Sequence, residues 1–235
     1  MRVCYLQHVT FEDLGGIEPW LRERGHEVLG CRVYAQERFP AMQEFDWLIV
    51  MGGPMGVHDD EGHPWLPRER RFIGRAIRDG KLVLGVCLGA LFLADALGAR
   101  IRKNSEPEIG WFPVRATGEA LHSATFSEAP AEFTALHWHA ETFEVPEGAR
   151  LLASSDATAH QAFEAGDGRV LALQFHLEAT PAGVDALIAE CPGDLAALPH
   201  VQSAEDLRAG AVGFGPALAP LLDSVLGSME RLGPR

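Results

Sequence analysis

The chain has 235 residues, of which 47% are hydrophobic, and a formal net charge of −13. This length and apolar content are enough for one well-packed domain, and the acidic excess argues against nucleic acid or an anionic membrane as the main partner. The four cysteines are far apart and form no C-x-x-C pair, which is typical of reduced thiols in a cytosol. Because the N-terminus turns polar at once and no apolar run reaches transmembrane length, we expect a cytoplasmic protein.

The first half of the sequence alternates the patterns of strands and helices. Helical spacing of apolar residues predicts helices at 17–24, at 68–79 and from 88 to a stop at Gly98. Short apolar runs predict strands at 2–9, 27–34, 46–51 and 81–86. We therefore expect an α/β fold with a three-layer, doubly wound, mostly parallel sheet, whose ligands bind beyond the carboxyl ends of the strands.

The second half has a different pattern, with several short strands in succession. They are predicted at 111–117, 133–139, 150–155, 160–165 and 169–175, and Gly166-Asp167-Gly168 predicts a hairpin between the last two. Helical patterns return at 181–190 and 216–232. Because no linker separates two domains, we expect residues 1–190 to form the main domain and residues 191–235 to form a helical extension packed on it.

Cys87 lies at the point where a strand pattern changes directly into a helix pattern. The apolar run 81–86 ends there, the helix pattern begins at Leu88, and Gly85 and Gly89 flank the cysteine. A strand that turns sharply into a helix between small residues is the nucleophile-elbow arrangement, and the N-terminus of the helix favours a thiolate. The alternative interpretation is that Cys87 is a small apolar core residue, and this pattern alone leaves both open.

Two further segments carry residue types that would support a reactive thiol. Gly52-Gly53 directly follows a predicted strand and could direct a backbone amide into a site, although an ordinary turn has the same pattern. His176 and Glu178 would face the same side of an extended chain. A histidine beside the sulfur could exchange protons while the carboxylate orients its ring, although a histidine bonded to backbone is the alternative.

A metal site is the competing interpretation of a third segment. His137 and His139 would lie on one strand face close to Glu141, and such a set can hold zinc. A convincing fourth ligand is missing, since His58 and His63 fall in predicted loops. We therefore expect no metal and no other cofactor.

The order of these motifs resembles that of class I glutamine amidotransferases, most closely the stand-alone proteins similar to the amidotransferase domain of GMP synthase. The motifs are Gly52-Gly-Pro-Met-Gly, Gly85-Val-Cys-Leu-Gly, Gly110-Trp, His137-Trp-His and Gln174-Phe-His-Leu-Glu. The resemblance implies a flavodoxin-like fold and hydrolysis of the glutamine side-chain amide. By similarity Cys87 attacks the amide carbon, His176 protonates the departing ammonia, Glu178 orients His176, and the amides of Gly53 and Leu88 stabilise the oxyanions.

The same resemblance assigns a substrate-binding role to Leu91, Trp138, His139 and Ala140. The family usually has glutamine at the position of Leu91 and often glycine at that of Ala140. Two alternatives therefore stay open, namely hydrolysis of a different γ-glutamyl compound and a non-catalytic regulatory or binding module. Because the chain has no room for a synthetase domain, any acceptor of ammonia would be a synthetase subunit on another polypeptide; the sequence does not indicate an oligomeric state.

Overall fold

The computed structural model describes residues 1–234. Within them the helices are α1 (Ile17–Glu23), α2 (Leu66–Arg78), α3 (Leu88–Ala96), α4 (Pro181–Glu190), α5 (Ala204–Gly213) and α6 (Gly215–Leu232). The strands are β1 (Arg2–Gln7), β2 (Glu27–Arg32), β3 (Trp47–Val50), β4 (Leu82–Val86), β5 (Ile101–Ala116), β6 (Glu132–Phe143), β7 (Arg150–Ser154), β8 (Ala162–Ala165) and β9 (Val170–Leu173). These strands form one sheet in the order β2-β1-β3-β4-β9-β8-β7-β5-β6.

The sheet has a parallel half and an antiparallel half. Strands β2, β1, β3, β4 and β9 are parallel to one another, whereas the pairings from β9 through β8, β7 and β5 to β6 are antiparallel. Every residue of β3 and β4 is buried, because helices cover both faces of the parallel half. The predicted α/β fold with an added antiparallel region is confirmed.

The fold has three layers, with helices on both faces of the sheet. An apolar cluster lies on each face, between the sheet and the helices that cover it. Trp47 and Ile49 of β3 belong to the cluster that includes residues of α1, α4, α5 and α6, while Leu48 and Val50 belong to the cluster that includes residues of α2 and α3. This alternation follows from the two-residue period of side chains along a strand. It explains why the apolar run of β3 is continuous in sequence.

Some elements differ from the sequence-based prediction. Strand β5 begins earlier than predicted and β6 ends later. The reason is that the polar segments 101–108 and 139–143 pair with each other around a bulge. Helix α5 was not predicted, although Ser203 accepts a hydrogen bond from the Asp206 amide, a recognisable start signal. The hairpin at Gly166-Asp167-Gly168 is confirmed, and all three residues have positive φ angles.

The chain beyond α4 contacts the outer part of β5. The Ile109 amide donates to the His200 carbonyl oxygen at 2.8 Å, and the Gln202 side chain bonds both backbone groups of Trp111. The Trp111 indole donates to the Leu207 carbonyl oxygen at 2.9 Å. Among residues 1–234 no single helix is long and apolar enough to cross a membrane, and only the pair α5 and α6, bent by 59°, reaches that length and composition together.

Candidate active site

The strand–turn–helix predicted around Cys87 is present between β4 and α3. Cys87 has φ 52° and ψ −108°, a backbone conformation that residues other than glycine rarely adopt. Side chains at Gly85 and Gly89 would clash with backbone, at the Gly89 carbonyl and the Val50 carbonyl respectively. The two glycines therefore allow α3 to lie directly against β3 and β4, and this close packing holds the cysteine in its strained turn.

Cys87 lines a cleft of about 790 Å³. Its thiol donates a hydrogen bond to the Trp138 carbonyl oxygen at 3.5 Å, so the sulfur touches β6 from the opposite wall. Leu88 is the first residue of α3, where an amide has no acceptor within the helix. The sulfur is therefore next to a free helical N-terminus, and Cys87, although buried, is part of the cleft lining.

His176 and Glu178 form a short, buried contact, with Nδ1 2.6 Å from Oε1. Both residues follow β9 in a bent segment, and the His176 amide donates to the Leu136 carbonyl oxygen of β6. Burial by itself lowers the pKa of His176, but the charge of Glu178 and the contact with the Cys87 side chain outweigh burial and raise this pKa well above its ordinary value. The other ring nitrogen, Nε2, is buried and has no hydrogen-bond partner among residues 1–234.

The loop after β3 brings Gly53 to the cleft beside Leu88. A side chain at Gly53 would come within 3.1 Å of the Leu88 side chain, so the two residues are neighbours across the cleft base. The Gly53 amide donates to no acceptor within the described chain. The carbonyl oxygen of the preceding Gly52 is bonded to the His8 ring at 2.9 Å.

The residues predicted to bind substrate all line this same cleft. Leu91 lies one helical turn beyond Cys87 on α3, and Trp138, His139 and Ala140 are consecutive on β6. The Trp138 indole donates to Asp194 Oδ2 at 3.0 Å. This bond ties β6 to the segment 191–198, most of which also lines the cleft.

The cleft wall is acidic. It includes the carboxylates of Glu12, Glu141, Glu190 and Asp194, and among the described lining residues there is no lysine or arginine. Glu12 lies against the glycine loop, since a side chain at Gly52 would overlap its carboxylate, and burial raises the pKa of Glu12. The sequence analysis missed Glu12 and Asp194, because single acidic residues in loops carry no local signal.

The structure changes the set of residues that could form the metal site considered in the sequence analysis. Glu108, rather than Glu141, joins His137 and His139, and the three candidate ligand atoms lie within 4.8 Å of one another. Gln161 Nε2 lies between them, 2.7 Å from Glu108 Oε2 and 3.2 Å from His137 Nδ1. The loop residues that were considered as further ligands pair elsewhere, His58 with Asp95 and His63 with Asp59.

The surroundings of this group lower the pKa values of both Glu108 and His137. Burial opposes ionisation of Glu108, but hydrogen bonding from His139 and the nearby His137 lower the pKa of Glu108 to about 2. Burial lowers the pKa of His137 to about 3, so this histidine is neutral at pH 7. His139 Nδ1 also lies 3.0 Å from the Glu141 carbonyl oxygen. The group is thus a polar network that fixes His139 at the cleft wall.

The fold and the elbow put the chain among α/β proteins that present a cysteine at the carboxyl edge of a parallel sheet. A family model described as glutamine amidotransferase class-I matches residues 17–190. The chain therefore belongs to the class I glutamine amidotransferase family, and the resemblance inferred from the sequence motifs is confirmed. The segment 191–198 lies beyond the matched residues.

Three relatives illustrate the extent of the similarity. The glutamine amidotransferase-like protein YfeJ of Salmonella typhimurium is 32% identical over 200 residues, which cover 83% of each chain. A glutamine-hydrolyzing GMP synthase subunit of Sulfurisphaera tokodaii is 29% identical over 140 residues, 58% of this chain and 69% of the relative. The crystal structure of a glutamine amidotransferase from Thermotoga maritima superposes with a TM-score of 0.88 at 28% identity, covering 97% of both chains.

Proposed function

We propose that the protein hydrolyses the side-chain amide of glutamine, with Cys87 as the nucleophile. The family supports glutamine hydrolysis and ammonia transfer in general. The observation that carries the proposal is the buried His176 ring, which is held by Glu178 at 2.6 Å and is close enough to Cys87 for this thiol to help raise the pKa of His176. A thiol, a base and a residue that orients the base are the minimum set for nucleophilic acyl transfer.

In the first half of the reaction, the thiolate of Cys87 attacks the amide carbon and the carbonyl oxygen becomes an oxyanion. The amides of Gly53 and Leu88 are free to donate to this oxygen. His176 gives its proton to the amide nitrogen, the carbon–nitrogen bond breaks, and ammonia leaves a thioester on the sulfur.

In the second half, water replaces ammonia beside His176. The ring removes a proton from the water as its oxygen attacks the thioester carbon, and the same amides stabilise the second oxyanion. The carbon–sulfur bond then breaks, which restores the thiolate and the protonated ring and releases the γ-carboxylic acid. This product loses its proton to solvent and becomes glutamate. Through its hydrogen bond to Nδ1, Glu178 orients the ring and stabilises the imidazolium.

Substrate binding and ammonia transfer belong to the same proposal. Leu91 and the β6 residues Trp138, His139 and Ala140 would contact the part of glutamine that carries its α-amino and carboxylate groups. Released ammonia would pass to a synthetase subunit on another polypeptide. The similarity to a protein described as one subunit of a GMP synthase supports this arrangement.

Ammonia release from glutamine by the purified protein, with and without candidate partners, tests the proposal. We expect Cys87→Ala to abolish release, whereas Cys31→Ala, which removes a buried thiol on β2, should retain it. Mass spectrometry should find a glutamyl adduct or an electrophilic glutamine analogue on Cys87 alone. Equal ammonia from the wild type and Cys87→Ala would refute the proposal, and labelling without turnover would favour a non-catalytic binding module.

A second candidate substrate is favoured by the charge of the cleft. Its wall has four carboxylates and, within the described residues, no lysine or arginine, and its volume of about 790 Å³ leaves room beyond a glutamyl group. The same thiol chemistry would then cleave a γ-glutamyl amide whose amine part carries a positive charge. A panel of glutamine, γ-glutamyl-putrescine and its uncharged analogue γ-glutamyl-butylamide separates the candidates. Cleavage of the cationic compound no faster than the uncharged one would exclude this second candidate.

A further inference from the structure

A second buried histidine–glutamate pair lies behind the glycine loop, and the reaction described above does not use it. His8 directly follows β1, and its Nε2 lies 2.7 Å from Oε1 of Glu69 on α2. Its Nδ1 lies 2.9 Å from the Gly52 carbonyl oxygen. Both side chains are fully buried. The pair therefore connects three separate elements at one point of the loop.

The position of the proton on His8 follows from its partner. The Gly52 carbonyl oxygen can only accept a hydrogen bond, so Nδ1 of His8 must carry the hydrogen. The hydrogen bond therefore fixes the direction of the Gly52 carbonyl group, which points away from the cleft toward the ring.

The direction of the Gly53 amide follows from that of the Gly52 carbonyl, because both belong to one peptide unit. Residues 1–234 contain no cis peptide bond, and in a trans peptide the C=O and N–H groups point in opposite directions. With the Gly52 oxygen turned toward His8, the Gly53 N–H is turned toward the cleft, where Gly53 is part of the lining.

The loop needs such a constraint because of its own sequence. Two successive glycines can adopt either peptide orientation at low energetic cost, and a rotated peptide would put a carbonyl oxygen where an oxyanion must bind. A side chain at Gly53 would approach both Met55 and the His8 Cβ atom, so the loop and the histidine are in direct contact. The His8 ring also stacks on Phe92 of α3, with centroids 5.8 Å apart.

We propose that His8, oriented by Glu69, is a positioning residue that keeps the Gly53 amide directed into the oxyanion site. The inference rests on the proposed function, since it assigns a role to the same site. It accounts for an arrangement that stability alone explains poorly. Desolvation offsets much of the attraction in a buried ion pair, and here Glu69 Oε2 has no hydrogen-bond partner in the described chain.

Two substitutions of His8 separate its two hydrogen bonds. His8→Asn puts an amide nitrogen where Nδ1 is, so the bond to Gly52 can persist while the bond to Glu69 is lost. His8→Gln extends toward the position of Nε2, so the bond to Glu69 can persist while Gly52 is released. Each variant is compared with the wild type for kcat and KM with glutamine, for the rate of Cys87 alkylation by iodoacetamide, for thermal stability, and for the Gly52–Gly53 peptide orientation in a crystal structure.

We expect His8→Gln to lower kcat by about 100- to 1,000-fold, the range for a lost oxyanion donor, with KM nearly unchanged. Its peptide should be rotated, its Cys87 alkylation unaffected, and the kcat of His8→Asn clearly higher. An unrotated peptide with normal kcat in His8→Gln would overturn the inference, as would equal losses in both variants that follow their thermal stability. If the wild type releases no ammonia, the proposed function fails, and the peptide orientation in His8→Gln alone decides this inference.

If His8→Gln does not fold, Glu69→Gln takes its place, because it is close to isosteric and keeps a partner for His8 Nε2. A smaller loss in kcat at constant KM, together with partial rotation of the peptide, supports the inference. An unchanged kcat and an unrotated peptide contradict it.

Discussion

The two histidine–glutamate pairs beside the elbow are alike in their contacts and different in what they face. In both pairs a ring nitrogen lies 2.6–2.7 Å from a carboxylate oxygen inside the protein. The His176 ring is close enough to the Cys87 thiol for that thiol to help raise the pKa of the ring, and a thiol can give up and take back a proton. The second ring nitrogen of His8 faces a carbonyl oxygen, which cannot. The same pair of residue types is therefore suited to proton transfer in one place and to fixed positioning in the other.

The largest expected difference between the pairs comes from replacing their carboxylates. We expect Glu178→Gln to lower kcat/KM by about 10³- to 10⁴-fold, because the amide stabilises the imidazolium poorly and favours the wrong tautomer. Glu69→Gln should lower it by only about two- to tenfold, because the glutamine amide holds the His8 ring less firmly and the bond to Gly52 is weakened rather than lost. Initial rates of ammonia release measure both. Equal losses in the two variants would remove the distinction between a proton-transfer pair and a positioning pair.

A substitution at Leu91 changes substrate binding without touching either histidine–glutamate pair, so it separates effects on KM from the effects of the two pairs on kcat. Leu91→Gln would restore the residue that the family usually has, and a new polar contact with substrate is worth about 1–3 kcal/mol. We expect KM for glutamine to fall by about 10- to 100-fold with kcat nearly constant. Leu91→Met, which keeps the site apolar, is the matched control. If Leu91→Gln weakens glutamine cleavage but leaves cleavage of a γ-glutamyl amine intact, the second candidate substrate gains support.

The local parts of this site could be predicted from sequence. The elbow at Cys87 changes from a strand pattern to a helix pattern within a few residues, and His176 and Glu178 are only two positions apart. The alternation of strands and helices likewise predicted the parallel half of the sheet. Each of these features depends on neighbours in the chain, so a single sequence contains the information.

The supporting residues depend on contacts between distant segments, and sequence reasoning missed them. Glu69 lies in the polar run Arg68–Arg71 and reads as a solvated residue, yet it shares a helix face with Leu66, Phe72 and Ile73, and that register was a usable signal. His8 has no comparable signal, because its partners are 44 and 61 residues away. Asp194 meets Trp138 across 56 residues.

The pH dependence of activity sharpens the comparison further. His176 must be protonated to give a proton to the departing ammonia, and its pKa is raised. Activity should therefore persist at neutral pH and fall as the pH rises through that pKa. Glu178 is the main cause that raises this pKa, so Glu178→Gln should move the alkaline fall of kcat/KM to lower pH. Glu69→Gln should leave its position unchanged, since His8 transfers no proton. A shift of equal size in both variants would contradict the assignment.

The smallest expected effect concerns the stability of the fold and a third buried group, His137 with Glu108. Here the pKa of the histidine is lowered, whereas that of His176 is raised. His137 has a pKa lowered to about 3, so between its ordinary value near 6.5 and about 3 the unfolded chain binds a proton that the folded chain does not. Glu108, whose pKa is lowered to about 2, stabilises the fold above its ordinary value and loses this contribution as the pH falls toward 2. Both groups therefore predict weaker folding in acid.

Urea unfolding at a series of pH values measures this effect. Between pH 6 and pH 4 the free energy of unfolding should fall, with His137 contributing up to about 1.4 kcal/mol per pH unit. His137→Asn removes the titrating ring and should flatten the slope, whereas His160→Asn, a half-buried histidine bonded to the Phe143 carbonyl, is the matched control and should leave it unchanged. A slope equal in the wild type and both variants would mean that His137 is not held neutral by burial.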